Sequence, residues 1–89
     1  MRINKVLKAL SHPTRRGILV RLRDGATSAG DLASYFDVSK PTMSAHFAAL
    51  KDADLVYTER DGNWVLYHLN VTVADEALAS LMAIIGSGK

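Results

Sequence analysis

Hydrophobic positions recur every three or four residues along most of this chain, and in one stretch the recurrence changes to alternation. Ile3, Val6, Leu7 and Leu10 stand at helical spacing and predict a first helix near residues 2–10. Ser11-His12-Pro13 interrupts it, and Pro13 suits the first turn of a new helix, where its missing N–H would have no partner anyway. Ile18, Leu19 and Leu22 stripe this second helix until Asp24-Gly25 stops it. Gly17 within it costs roughly 1 kcal/mol relative to Ala, which close helix packing would justify. Ser28 with Asp31 is a capping-box-like start to a third helix, whose buried face is Leu32, Tyr35 and Phe36. Asp37-Val38 turns the chain. Ser39 then caps a fourth helix, with Pro41 in its first turn, Phe47 and Leu50 facing inward and Met43 packing, and Ala53-Asp54 ends it.

From there the period becomes two. Residues 55–60 and 64–69 are strand-like runs separated by Asp61-Gly62-Asn63, and Asp-Gly is a tight-hairpin signal because both residues tolerate positive φ. Tyr67 and Leu69 share one strand face and are expected in the core, with Trp64 packing at the base of the hairpin. Thr72 with Asp75 is a second capping-box-like start. Ala74, Ala77, Leu78, Leu81, Met82 and Ile85 then stripe a last helix, which Gly86-Ser87-Gly88 ends. The fold class expected is mainly α with a β-hairpin wing, in the order α-α-α-α-β-β-α. Two short helices joined by a tight turn form a helix-turn-helix, and a hairpin directly after it makes a winged helix-turn-helix.

Composition narrows the function classes. With 89 residues the chain is read as one domain, 1–89, whose core is marginal and would gain from a dimer seam. There is no cysteine, which excludes disulfides, thiolate metal sites and cysteine nucleophiles. No apolar run has the length of a signal peptide core or a membrane span, so a soluble, cytoplasmic, nucleoid-associated protein without membrane insertion is expected. The net charge is only +2, but residues 1–23 carry Arg2, Lys5, Lys8, Arg15, Arg16, Arg21 and Arg23 and no acid. That asymmetry suits a face that meets a polyanion. An enzyme is not expected: there is no Gly-rich phosphate loop, no His-Glu metal motif and no carboxylate pair in an apolar setting.

Four segments carry a family resemblance. They are Ala9-Leu10-Ser11-His12-Pro13-Thr14-Arg15-Arg16-Gly17-Ile18-Leu19, then Ser39-Lys40-Pro41-Thr42-Met43-Ser44-Ala45-His46-Phe47-Ala48-Ala49-Leu50, then Leu55-Val56, then Arg60-Asp61-Gly62-Asn63-Trp64-Val65-Leu66-Tyr67-His68-Leu69. In this order the chain resembles the ArsR-type winged helix-turn-helix repressors, in particular their short, cysteine-free SdpR-like members. The resemblance implies a homodimeric transcriptional repressor in which the first and last helices form the dimer interface, the fourth helix reads the major groove and the hairpin is the wing. On that basis Ile3, Val6, Leu7, Leu78, Leu81, Met82 and Ile85 are assigned to the interface. Two family metal motifs do not carry over. The third helix reads Ala29-Gly30-Asp31-Leu32-Ala33-Ser34 without a Cys-x-Cys pair, and the last has Asp75 and Glu76 but no His. No metal and no cofactor are therefore expected. His12 stands where many members have a capping Asp, so Ser11 is expected to share the cap.

By the same resemblance Lys40, Thr42, Ser44 and Ala45 form the groove-facing set, with Ser39 and Pro41 setting the helix start and His46 at the edge. Lysine can donate to guanine, hydroxyls pair with either partner type and an alanine methyl can touch thymine. Arg60 and Asn63 at the wing suit phosphate or minor-groove contact. Thr27 and Ser28 stand at a helix start, where capping and phosphate binding are compatible roles. One of Arg15 and Arg16 is expected to pair with an acid such as Asp31 or Asp52 and the other to face DNA, with nothing in the sequence to choose between them. His12, His46 and His68 are spread over three elements and are expected to be isolated. The partners expected are double-stranded DNA at a near-palindromic operator, a second copy of the chain, and an unknown protein or small-molecule inducer. A metal-responsive derepressor and a protein-interaction module are the competing readings, opposed by the missing metal motifs and by the basic first 23 residues.

Overall fold

The computed structural model describes residues 3–86. The elements run α1 (Ile3–Leu10), α2 (Pro13–Leu22), β1 (Thr27–Ser28), α3 (Ala29–Ser34), α4 (Lys40–Asp52), β2 (Val56–Asp61), β3 (Trp64–Leu69) and α5 (Val71–Ile85). This is the expected winged helix-turn-helix with one addition. Thr27 and Ser28, read as a helix start, also form a short strand that pairs antiparallel with Tyr67 and Leu66 of β3, giving a three-stranded sheet ordered β1-β3-β2. Two residues are too few for an alternation signal, so only the pairing partner reveals the strand. Arg2, Ser87 and Gly88 lie outside the described residues.

Side-chain caps set the helix starts. The His12 ring accepts the Thr14 N–H on Nδ1 at 3.2 Å and so caps α2 alone, while the Ser11 hydroxyl donates to the Lys8 carbonyl. The Ser28 hydroxyl accepts the Asp31 N–H, and the Ser39 hydroxyl accepts the Thr42 N–H while donating to Thr42 Oγ1 at 2.9 Å. The start of α5 differs from expectation. Asn70, not Thr72, is the cap, its Oδ1 accepting the Val73 N–H at 3.3 Å. Asparagine is among the best capping side chains, and it places the start two residues earlier. The end of α4 is a Schellman turn: Asp54 adopts φ 57°, its N–H bonds the Lys51 carbonyl, and Leu55 N–H bonds the Leu50 carbonyl.

The core joins all layers: Val6 and Ala9 of α1, Ile18 and Leu22 of α2, Leu32 of α3, Met43, Phe47 and Leu50 of α4, Leu55 and Val56, Tyr67, and Val73 and Ala77 of α5. Tyr67 stacks on Phe47 with ring centroids 4.6 Å apart, which locks the sheet to α4. Gly17 allows a close approach, since a Cβ there would lie 2.9 Å from Phe36 Cε1. Val6, assigned to the dimer interface, is fully buried in the chain's own core. Tyr35 is not in the buried face of α3: it is exposed beneath the Arg21 guanidinium, 3.6 Å from the ring centroid. No helix among the described residues is long and apolar enough to cross a membrane.

Candidate nucleic-acid interface

Helical geometry sorts α4 into two faces. Met43, His46, Phe47 and Leu50 stand at i, i+3, i+4 and i+7 and are all buried, so the opposite face is turned outward. Lys40, Pro41, Thr42, Ser44, Ala45 and Ala48 are all exposed, as is the capping Ser39. The first two turns therefore present an ammonium, two hydroxyls and small methyl groups. Ala48 belongs to this face although the sequence reading omitted it; its place follows from Ala45 by one turn.

His46 corrects an expectation. It is only 5% exposed and faces the core rather than the edge of the outward set. Its Nδ1 accepts the Nε–H of Arg15 at 3.1 Å, and its ring lies 4.3 Å from that of His12. The bonded Nδ1 must be unprotonated, so the neutral ring carries its proton on Nε2, which is buried without a partner among the described residues. Burial, and after it the electrostatic influence of the neighbouring His12 and Arg15, holds the His46 pKa below its ordinary value. The two histidines expected to be isolated thus form a pair. Arg15 and Arg16 also depart from expectation. Arg15 turns to His46 and the Lys8 carbonyl, and Arg16 to the Leu10 carbonyl, while Asp52 takes Lys5 at 3.5 Å.

The wing follows from strand parity. Tyr67, Val65 and Leu69 share the core face of β3, and their β2 partners Thr58, Arg60 and Val56 share it too. Arg60 therefore stands on the α4 side of the sheet, beyond the end of the core, and is exposed. Trp64 has the opposite parity, with Leu66 and His68, and is 62% exposed rather than packed at the wing base. On that outer face Tyr57 stacks on His68, and Glu59 bonds the His68 ring at 3.0 Å. The turn also differs from expectation. Asp61 pairs with Trp64 as the last residue of β2, so Gly62-Asn63 is the loop, with Gly62 at φ 61° in the first central position. Positive φ at that position is the glycine requirement of a type II′ turn, whose twist matches the strands. Asn63 is exposed at the tip, whereas Ser28 is buried and its hydroxyl is committed to the α3 cap. Thr27 is half-buried at the sheet edge, with its hydroxyl on the Gly25 carbonyl.

Among the described residues no three His, Cys, Asp or Glu side chains converge.

The comparisons agree with this architecture. A family model described as a helix-turn-helix domain matches residues 10–59. The chain is 41% identical over 86 residues to the transcriptional repressor SdpR of Bacillus subtilis strain 168, covering 97% of this chain and 96% of that protein. Among solved structures, an ArsR-like transcriptional regulator from Rhodococcus sp. RHA1 superposes with a TM-score of 0.82 at 29% identity, covering 98% of this chain and 81% of that one. The homodimeric winged helix-turn-helix DNA-binding domain from Mycobacterium bovis gives 0.76 at 29% identity, over 97% of this chain and 79% of that one. With its helix pair, its wing and these relatives, the chain belongs to the ArsR family of winged helix-turn-helix transcriptional repressors.

Proposed function

We propose that this protein is a homodimeric repressor of a single winged-helix domain that occludes a promoter by reading a near-palindromic operator. The observation that carries the reading is the outward face at the start of α4, where Ser39, Lys40, Pro41, Thr42, Ser44 and Ala45 are exposed on a rigidly packed helix, with Arg60 on the same side of the sheet. In this reading Lys40, Thr42, Ser44 and Ala45 meet base edges, and Arg60, Asn63 and Thr27 meet phosphates or the minor groove. His46 and Ser28 act indirectly, by holding α4 and capping α3.

The dimer is supported by uncovered apolar surface. Leu7, Leu78, Leu81, Met82, Ile84 and Ile85 are 38–76% exposed. Leu78 and Leu81 also border an open groove of about 360 Å³ whose other walls include Leu10, Leu19, Leu55 and Leu69. Soluble monomers rarely leave such a continuous apolar surface uncovered. Two copies joined there would set two α4 helices about 34 Å apart, one turn of the duplex. The protein acts in the cytoplasm at the nucleoid, without a family-type metal site, and is released by a protein or small-molecule inducer or limits its own level.

Fluorescence anisotropy against the DNA upstream of its own gene and against a scrambled duplex, across a range of salt, tests this. We expect a preference of about a thousandfold or more and a salt slope of several phosphate contacts. Equal affinity for both duplexes would overturn an autorepressor. No duplex affinity at physiological salt would overturn DNA reading altogether.

A further inference from the structure

On the flank of α4 lies a second feature, a cleft of about 380 Å³ between α1 and α4 lined by Lys5, Lys8, Ala9, Arg15, Ala49 and Asp52. Three cations face one carboxylate there. Asp52 is engaged by Lys5, at 3.5 Å across side chains more than 60% exposed, so it offsets only that ammonium. Lys8 makes no ion pair among the described residues. The guanidinium of Arg15 is held in place from two directions, by Nε on His46 and by one terminal nitrogen on the Lys8 carbonyl. Its other N–H donors remain for a ligand. A planar fork fixed in advance loses little freedom on binding, and its geometry matches a pair of phosphate oxygens. Ala9 and Ala49 supply small walls that leave room for one.

We propose that this cleft is a binding site for a phosphate group, gripped by Arg15 and Lys8 with Lys5 at the rim. The phosphate has two sources. Ala49 and Asp52 follow Ala45 by one and two helical turns, so the cleft adjoins the outward face of α4, and a backbone phosphate of a bound duplex can reach it. A free phosphate-bearing small molecule is the other source. The first source rests on the DNA-binding reading and the second does not. In both cases the ligand is coupled to the recognition helix, because the group that grips it is the group bonded to His46 in the core of α4.

The full chain is titrated with inorganic pyrophosphate at constant ionic strength, followed by calorimetry and by amide shifts in NMR spectra. Wild type is compared with Lys8→Gln and Lys5→Gln, exposed changes whose thermal melts report on folding. In parallel, the salt dependence of duplex affinity is measured for the same three proteins. Saturable pyrophosphate binding, with shifts centred on α1 and the second half of α4 and affinity lowered at least fivefold by Lys8→Gln, establishes the cleft for a free phosphate. No saturable binding, but a log–log salt slope lowered by about one in Lys8→Gln, assigns it to a backbone phosphate. Neither effect in either variant overturns the site. Wild type that binds pyrophosphate here but no duplex would remove the DNA-binding reading and leave the cleft standing.

Discussion

His46 is held between Arg15 and His12, its Nδ1 on the Arg15 guanidinium and its ring against the His12 ring, while Nε2 has no partner among the described residues. A proton on Nδ1 would abolish the acceptor that Arg15 uses. The folded-state pKa is lowered, first by burial. The unfolded chain therefore takes up this proton before the folded one does. The stability His46 contributes is complete above its ordinary value of 6.5, and is lost as the pH falls from there through the folded value. An NMR titration of the ring carbons should show His46 titrating below 6.5, and a titration above it would refute the assignment. At Lys40 the prediction concerns specificity. Lys40→Ala should cost about 1–3 kcal/mol on the operator and relax preference at one base position, as a guanine contact would. Uniform loss across all sequences, read by competition binding, would make Lys40 a phosphate contact instead.

At the scale of elements, the contact between α2 and the turn that follows α3 depends on one missing atom. A methyl at Gly17 would lie 2.9 Å from Phe36 Cε1, and Phe36 packs against the core. Gly17→Ala gains about 1 kcal/mol of helix propensity, but overpacking costs typically 1–3 kcal/mol. We expect a net loss of about 1 kcal/mol, or a fall of about 4–8 °C in the melting temperature of a chain this size. An unchanged or raised melting temperature would mean that the Phe36 ring swings clear. The wing depends on parity in the same local way. Arg60 shares a face with Thr58 and Val56, so a one-residue slip of β2 would replace it with the acids Glu59 and Asp61.

The whole molecule spans 46 × 24 × 20 Å, a long shape for 84 described residues (3–86). Most of the apolar residues in the second half of α5 are uncovered, Ile84 and Ile85 at 75% or more. An isolated chain of this size has little core to spare, so a second copy over α5 would add the burial that it lacks. Leu81→Glu should split the dimer, since it sets a charge in an apolar seam, while leaving the exposed side chain harmless in a monomer. Sedimentation equilibrium reads this directly, and a variant that remains dimeric would refute the α5 interface. On the proposed operator of two half-sites, the same variant should lose most of its affinity.

Much of this protein is legible along the chain because helical spacing, caps and strand alternation are local. Pro13 and Pro41, Ser28 and Ser39, the 55–69 alternation and the Gly86 stop each state their element without reference to any other. Met43, His46, Phe47 and Leu50 also stand at the spacing of an inward stripe, which the polar character of histidine disguises at its second position. Other features have no local signal. The two-residue β1 exists only through Tyr67 and Leu66. Trp64 and Tyr35 are exposed despite their apolar bulk, Trp64 on the outer face of the wing and Tyr35 with the Arg21 guanidinium laid over its ring. Whether Val6 belongs to a seam or to the core depends on what packs over α1. The Arg15–His46–His12 group joins residues more than thirty positions apart. A side chain's own chemistry says what it can bond to, and only the folded chain brings a partner within reach.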